Sequence, residues 1–294
     1  MARFSWPEHF IHNTSGARLA LTHIPAQQPS RGPVVFAHGT FSNHRTCCGL
    51  AQHIANSGYD SWIMDFQGHG LSDQPTIEPD FESMCLQDTE ATIEYIKKCY
   101  PGQPITWVGH SGGGLAILMY LARNPQAHCA IGHIVTLASQ ATHAAKNIGN
   151  QLGIRFAAFF TSLLGTAPGK LLKLGPEDEF SPVMRQWYRW NLSGRWLGKD
   201  GFDYELKLSE LQIPCLMLAA TADRFIAPLA GCAHLFDCYG GNDKTFQLCG
   251  IETGFLEDYS HARIISSRNA SKDVWPLIEK WLQERADRIH PSYP

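Results

Sequence analysis

VGHSGGG at 108–114 sets one serine, Ser111, among glycines where two apolar runs meet, ITWVGHS (105–111) and GGLAILMYLARNP (113–125). The first run has the unbroken, β-rich character of a buried strand. The second has helical length and is ended by Asn124-Pro125. A chain passing from strand to helix at Ser111 must turn so tightly that only small residues fit two positions either side of it. Gly109 and Gly113 fill both. Such a turn leaves the hydroxyl at a helix N-terminus, where unpaired N–H groups face any negative charge that forms. A hydroxyl held this way is placed to attack a carbonyl carbon. Among 26 glycines, a G-x-S-x-G could also arise as a plain turn, and it is the strand–turn–helix setting that singles this one out.

The elements that would position Ser111 alternate along the chain. HFIHNTSGARLALTHIP (9–25) reads as an antiparallel hairpin. PVVFAHG (33–39), SWIMDFQGHG (61–70), IGHIVTLAS (131–139), PCLMLAATAD (214–223) and TFQLCGI (245–251) read as further strands. LAQHIANSGYD (50–60), FESMCLQDTEATIEYIKKCYPG (81–102), residues 228–239 and SKDVWPLIEKWLQERADR (271–288) have helical spacing. Strands this apolar have no wet face. The alternation therefore predicts an α/β fold, a mostly parallel eight-stranded sheet with helices on both faces. It breaks off over roughly 140–209, where LGIRFAAFFTSLLG and WYRWNLSGRW are dense in Phe, Leu and Trp. That interruption predicts a helical cap inserted into a core of residues 1–139 and 210–294.

With these motifs in place, the chain resembles the α/β-hydrolases with a serine nucleophile, most of all the capped monoacylglycerol-lipase and lysophospholipase-type esterases. HGTFSNH (38–44) resembles their oxyanion loop, and DFQGHGLSD (65–73) resembles their strand-end D-x-x-G-x-G-x-S segment. The second commonly has arginine where this chain has Gln67. The resemblance implies the order serine, acid, histidine. Asp223, ending PCLMLAATAD, then orients the imidazole, and His261 in LEDYSHARI acts as base and later as acid. His110, His38 and His234 are rival histidines, and Asp237 and Asp258 are rival acids. Where some relatives place the acid after the preceding strand, this chain has Ser139-Gln140. The oxyanion donors implied are the N–H of Gly112 and that of Thr40, or of Phe41 if the loop is offset.

A serine rather than an aspartate at the turn points to acyl transfer to water. Esters, thioesters, amides and C–C bonds share that machinery, and a ligand-binding protein that has lost catalysis is the competing class. Phe156, Phe159, Phe160, Leu163 and Leu164 have helical spacing in the insertion. They suggest a pocket for an acyl chain, with Phe41 and His110 beside it. Arg155, Lys170 and Lys173 nearby raise transient contact with a membrane surface. The partner expected is thus a small-molecule ester with an acyl chain, bound by a monomer or homodimer.

Composition excludes other classes. With 44% apolar and 17% charged residues the chain can bury a sizeable core. A net charge of −3 with signs interspersed offers no nucleic-acid footprint. Nine scattered cysteines without C-x-x-C suit small buried hydrophobes in a reducing compartment, the Cys47-Cys48 pair included. MARFSWPEHF lacks the apolar run of a signal peptide, and the expected location is cytoplasmic. No nucleotide loop or metal-ligand spacing appears, and the proposed chemistry needs no cofactor.

Overall fold

The computed structural model describes residues 6–27 and 30–289. Met1–Ser5, the start of the N-terminal stretch read above, lie outside them. Strands β1 (Glu8–His12) and β2 (Arg18–Ile24) form the expected hairpin. Then follow β3 (Pro33–Ala37), α1 (Cys48–Asn56), β4 (Asp60–Met64), α2 (Phe81–Cys99), β5 (Ile105–His110), α3 (Gly112–Arg123) and β6 (Ile131–Leu137). Between β6 and the next strand of the sheet come α4 (Ile148–Leu164), β7 (Thr166–Ala167), β8 (Glu179–Phe180), α5 (Ser181–Ser193) and α6 (Tyr204–Leu208). The chain returns through β9 (Cys215–Ala220), α7 (Leu229–Cys238), β10 (Lys244–Cys249), α8 (Arg263–Ser266) and α9 (Val274–Ile289).

Eight strands form one sheet in the order β1-β2-β4-β3-β5-β6-β9-β10. Its pairings are parallel except β1–β2 and β2–β4. Every residue of β3, β4, β5 and β9 is buried, as strands covered on both faces must be. Residues of α2 and α3 pack one face of the sheet, and those of α1, α8 and α9 the other. Helix α2 starts on a reciprocal cap: Asp80 accepts from Ser83 N–H (2.8 Å), and Ser83 Oγ accepts from Asp80 N–H (3.0 Å).

Chain order decides where ligands can enter. From β3 the next strand, β4, lies on one side and β5 on the other. The loops leaving β3 and β5 diverge at this switch point and open a crevice at the carboxyl ends of the strands. Thr40 follows β3 and Ser111 follows β5. The site sits where the topology leaves room.

Two differences from the sequence reading are local. The last helix begins at Val274, after a separate turn at Ala270–Lys272. The β7–β8 ladder was not expected, because two residues per strand leave no periodic signal. The far half of the insertion is anchored by a buried carboxylate. Glu82 on α2 accepts from Arg123 Nη2 (2.6 Å), Tyr204 OH (2.5 Å) and Lys199 N–H (2.9 Å).

Candidate active site

Ser111 adopts φ +53° and ψ −117°, a region that costs a non-glycine residue about 1–3 kcal/mol. The neighbouring glycines explain how the turn is possible. A Cβ on Gly109 would lie 2.3 Å from Gly114 N, and one on Gly113 would lie 2.2 Å from Ala37 O. The turn is then fixed from both ends. Ser111 N–H donates to Leu137 O (2.8 Å), and Ser139 Oγ–H donates to Ser111 O (2.8 Å).

Asp223 and His261 meet although 38 residues separate them. His261 Nδ1 lies 2.5 Å from Asp223 Oδ2. The carboxylate also accepts Ile226 N–H and Ala227 N–H, both at 3.0 Å. Burial would raise its pKa, but His261 and these donors outweigh burial and hold it below the usual carboxylate range. Ala222 N–H donates to Tyr259 O (2.8 Å) and ties the acid loop to the histidine loop. Ser111 and His261 line one cavity without a mutual hydrogen bond, a contact that free enzymes often tighten only on binding substrate.

The rivals are engaged elsewhere. Asp258 accepts from Thr221 Oγ1 and Ile251 N–H (3.0 Å each), and Asp237 is exposed. His38 donates through Nδ1 to Gly39 O (2.7 Å) and accepts Phe66 N–H at Nε2 (3.2 Å). That pairing requires the neutral ring, and burial lowers its pKa to about 4. His234 lies against Glu205 on α6 (3.1 Å). Burial pushes Cys48 up to about 11 and Cys47 further, so neither is a ready nucleophile.

Thr40 and Phe41 differ in whether their N–H groups are already paired. Phe41 N–H is taken by Glu179 Oε2 (3.4 Å). Thr40 N–H and Gly112 N–H have no partner among the described residues, and a Cβ on Gly112 would lie 3.5 Å from Thr40 N. Two unpaired donors therefore stand side by side next to Ser111. Gly39 makes the approach possible, since a Cβ there would lie 2.7 Å from Ser111 Cβ.

A cavity of about 410 Å³ opens from this point. Phe41, Leu115, Ile154, Phe160 and Trp187 are in its wall, and the lining contains no Asp, Glu, Lys or Arg. Phe156 lines it as well, but two expected binding residues do not. Phe159 points to solvent at 64% exposure, because it lies on the stripe of α4 shared with Leu152, Arg155 and Leu163. His110 is buried behind the site, where its Nε2–H donates to His261 O (2.8 Å) and burial lowers its pKa to about 3. It holds the histidine loop rather than substrate.

Sequence reasoning missed Gln140. Its Nε2 donates to Ile226 O (2.7 Å) and its Oε1 accepts His143 N–H (2.7 Å), bracing the acid loop. Only its place after β6, beside the strand whose following loop carries Asp223, could have marked it.

A family model described as serine aminopeptidase, S33, matches residues 28–185, more than half of the chain. The protein belongs to this α/β-hydrolase family. This hydrolase is 27% identical over 213 residues to the AB hydrolase superfamily protein YisY of Bacillus subtilis, covering 67% of this chain and 75% of that one. It is 27% identical over 124 residues to a monoacylglycerol lipase of Mycolicibacterium smegmatis, covering 42% and 44%. A soluble variant of the Saccharomyces cerevisiae monoglyceride lipase, solved with a substrate analog, superposes with a TM-score of 0.72 at 18% identity, covering 97% of each chain. Among its described residues no helix is long and apolar enough to cross a membrane.

Proposed function

We propose that the protein hydrolyses uncharged carboxylic esters carrying an apolar chain, through an acyl-enzyme on Ser111. The observation that carries this reading is one cavity lined by Ser111, by His261 with Asp223 paired behind it, and by Thr40 and Gly112 with their unpaired N–H donors, with an apolar wall beyond. Ser111 Oγ attacks the carbonyl carbon as His261 Nε2 takes its proton, and Asp223 supports the imidazolium that forms. Thr40 N–H and Gly112 N–H receive the developing oxyanion. Collapse expels the alcohol, protonated by His261. Water then attacks the acyl-enzyme with His261 as base and releases the acid. Residues 140–209 act as the cap. Its α4 contributes Ile154, Phe156, Phe160 and Leu164 to the wall.

Phe156 and Leu171 line the cavity yet are 65% and 79% exposed, so its mouth is continuous with the apolar outside of the cap. Ile148, Leu152 and Leu163 extend that surface. A cap built this way suits transient docking on a lipid surface, with substrate passing from lipid into the cavity. A fluorophosphonate probe tests the nucleophile. It should label the protein once, at Ser111, and a protein that resists the probe would leave only the ligand-binding reading.

A further inference from the structure

The oxyanion loop is held by the insertion as well as by its own strand. Phe41 has φ +61°, a left-handed conformation that a phenylalanine keeps only when its surroundings impose it. Both of its backbone groups are bound by the segment leading into β8. Phe41 N–H donates to Glu179 Oε2 (3.4 Å), and Phe41 O accepts Glu177 N–H (3.0 Å). Asn43 Nδ2, two residues on, donates to Glu177 Oε1 (2.6 Å). The packing is close. A Cβ on Gly175 would lie 2.0 Å from Phe41 O, and one on Gly169 would lie 2.4 Å from the Phe41 ring.

Glu179 is itself fixed. It is 1% exposed, its Oε1 accepts Phe180 N–H (3.0 Å), and its Oε2 lies 3.2 Å from His69 Nε2. His69 is 2% exposed and donates through Nδ1 to Gln67 O (3.0 Å), which leaves Nε2 to carry the second proton of an imidazolium. Nε2 faces the Glu179 carboxyl group at ion-pair distance. Burial would lower the His69 pKa, but the Glu179 carboxylate and the Gln67 carbonyl outweigh it and raise it to about 9. His69 on the G-x-G loop thus faces Glu179 of the β7–β8 segment, and Glu179 in turn takes the Phe41 N–H.

We infer that Glu179 is a positioning residue for the oxyanion hole. By fixing the Phe41 peptide it sets the direction of Thr40 N–H, since the two peptides share the Thr40 Cα, and His69 keeps the Glu179 carboxylate in place. The inference rests on the serine-hydrolase reading above. A group acting only on the oxyanion should change the chemical step and not ground-state binding.

The test compares wild type, Glu179→Gln and Glu179→Leu on p-nitrophenyl octanoate. An octyl trifluoromethyl ketone, which forms an anionic hemiketal with an activated serine, serves as inhibitor. Deleting a whole oxyanion donor costs about 10²–10³ in kcat. Misdirecting one should cost on the order of 10- to 100-fold in the Leu variant. Gln loses less, because its amide oxygen still accepts Phe41 N–H. KM should stay within about twofold, and the inhibitor should weaken by the same factor as kcat. If the Leu variant does not fold, the Gln variant's kcat and inhibitor affinity carry the test. Variants with wild-type kcat, or a loss confined to KM, overturn the inference alone. A wild type that turns over no ester brings down the serine-hydrolase reading, and Glu179's role with it.

Discussion

Helices α3 and α4 are both rich in Leu, Ile, Ala and Gly, yet the fold uses them in opposite ways. Eleven of the twelve residues of α3 are buried between the sheet and α2, so the helix that begins at Ser111 is set in the core. Of the seventeen residues of α4 only Ile154 and Thr161 are buried, and a row of its large apolar side chains meets water. Ser111 therefore stands on rigid packing, while the cavity beside it is walled in part by a helix with one face free. This division suits the proposed reaction, in which the attacking hydroxyl needs close placement and the apolar chain of the substrate does not. The β7–β8 segment joins the two regimes, since Ala167 lines the cavity and Glu179 takes the Phe41 N–H.

The largest expected effect lies in the rigid region. Gly113→Ala puts a methyl 2.2 Å from a backbone carbonyl that cannot give way, and it should cost more than about 4 kcal/mol, read as loss of cooperative unfolding. A Gly113→Ala protein with near-wild-type Tm would break the account of the elbow. Leu118→Ala, inside α3, should cost about 2–5 kcal/mol in chemical denaturation.

The join between the regions should respond to pH. The His69 pKa is about 9 in the fold against an ordinary value near 6.5, so the folded state holds the proton more tightly. That stabilisation is fully present below about 6.5 and is lost as pH rises through about 9. Glu179, Glu177 and His38 face the ring and set its charge. Tm should therefore fall between pH 6.5 and 9.5 in wild type and fall less in His69→Gln. Equal slopes would detach His69 from the clamp. The smallest expected effect is on α4. Phe159→Ser should shift stability by no more than about 0.5 kcal/mol, because the side chain already meets water. It should nonetheless lower sedimentation with anionic liposomes, and unchanged liposome binding would argue against docking through this face.

These contrasts also show what the sequence could reveal. The turn at Ser111 was legible because its pattern is local: Gly109 must be small because of Gly113 and Gly114 within six residues, although Gly113 must be small because of the distant Ala37 carbonyl. A mostly parallel sheet covered on both faces followed from the alternation of elements, whereas the pairing of Asp223 with His261 was expected only through the resemblance to a family. What was hidden depends on distant contacts. Glu179 reaches Phe41 across 138 residues, and nothing around either residue announces it. His110 lies on a strand buried on both faces, where alternation does not tell which side meets substrate. Phe159 and Phe160 are neighbours, but 100° of helical turn sends one to water and the other to the cavity.

The most direct test of the central claim is hydrolysis of p-nitrophenyl esters across a series of acyl lengths by wild type and Ser111→Ala. The account predicts rising kcat/KM from acetate to medium or long acyl chains in wild type, and a loss of about 10⁴-fold or more in the mutant. Turnover that survives the mutation, or that is confined to acetate, would contradict an acyl-enzyme on Ser111 served by an apolar cavity.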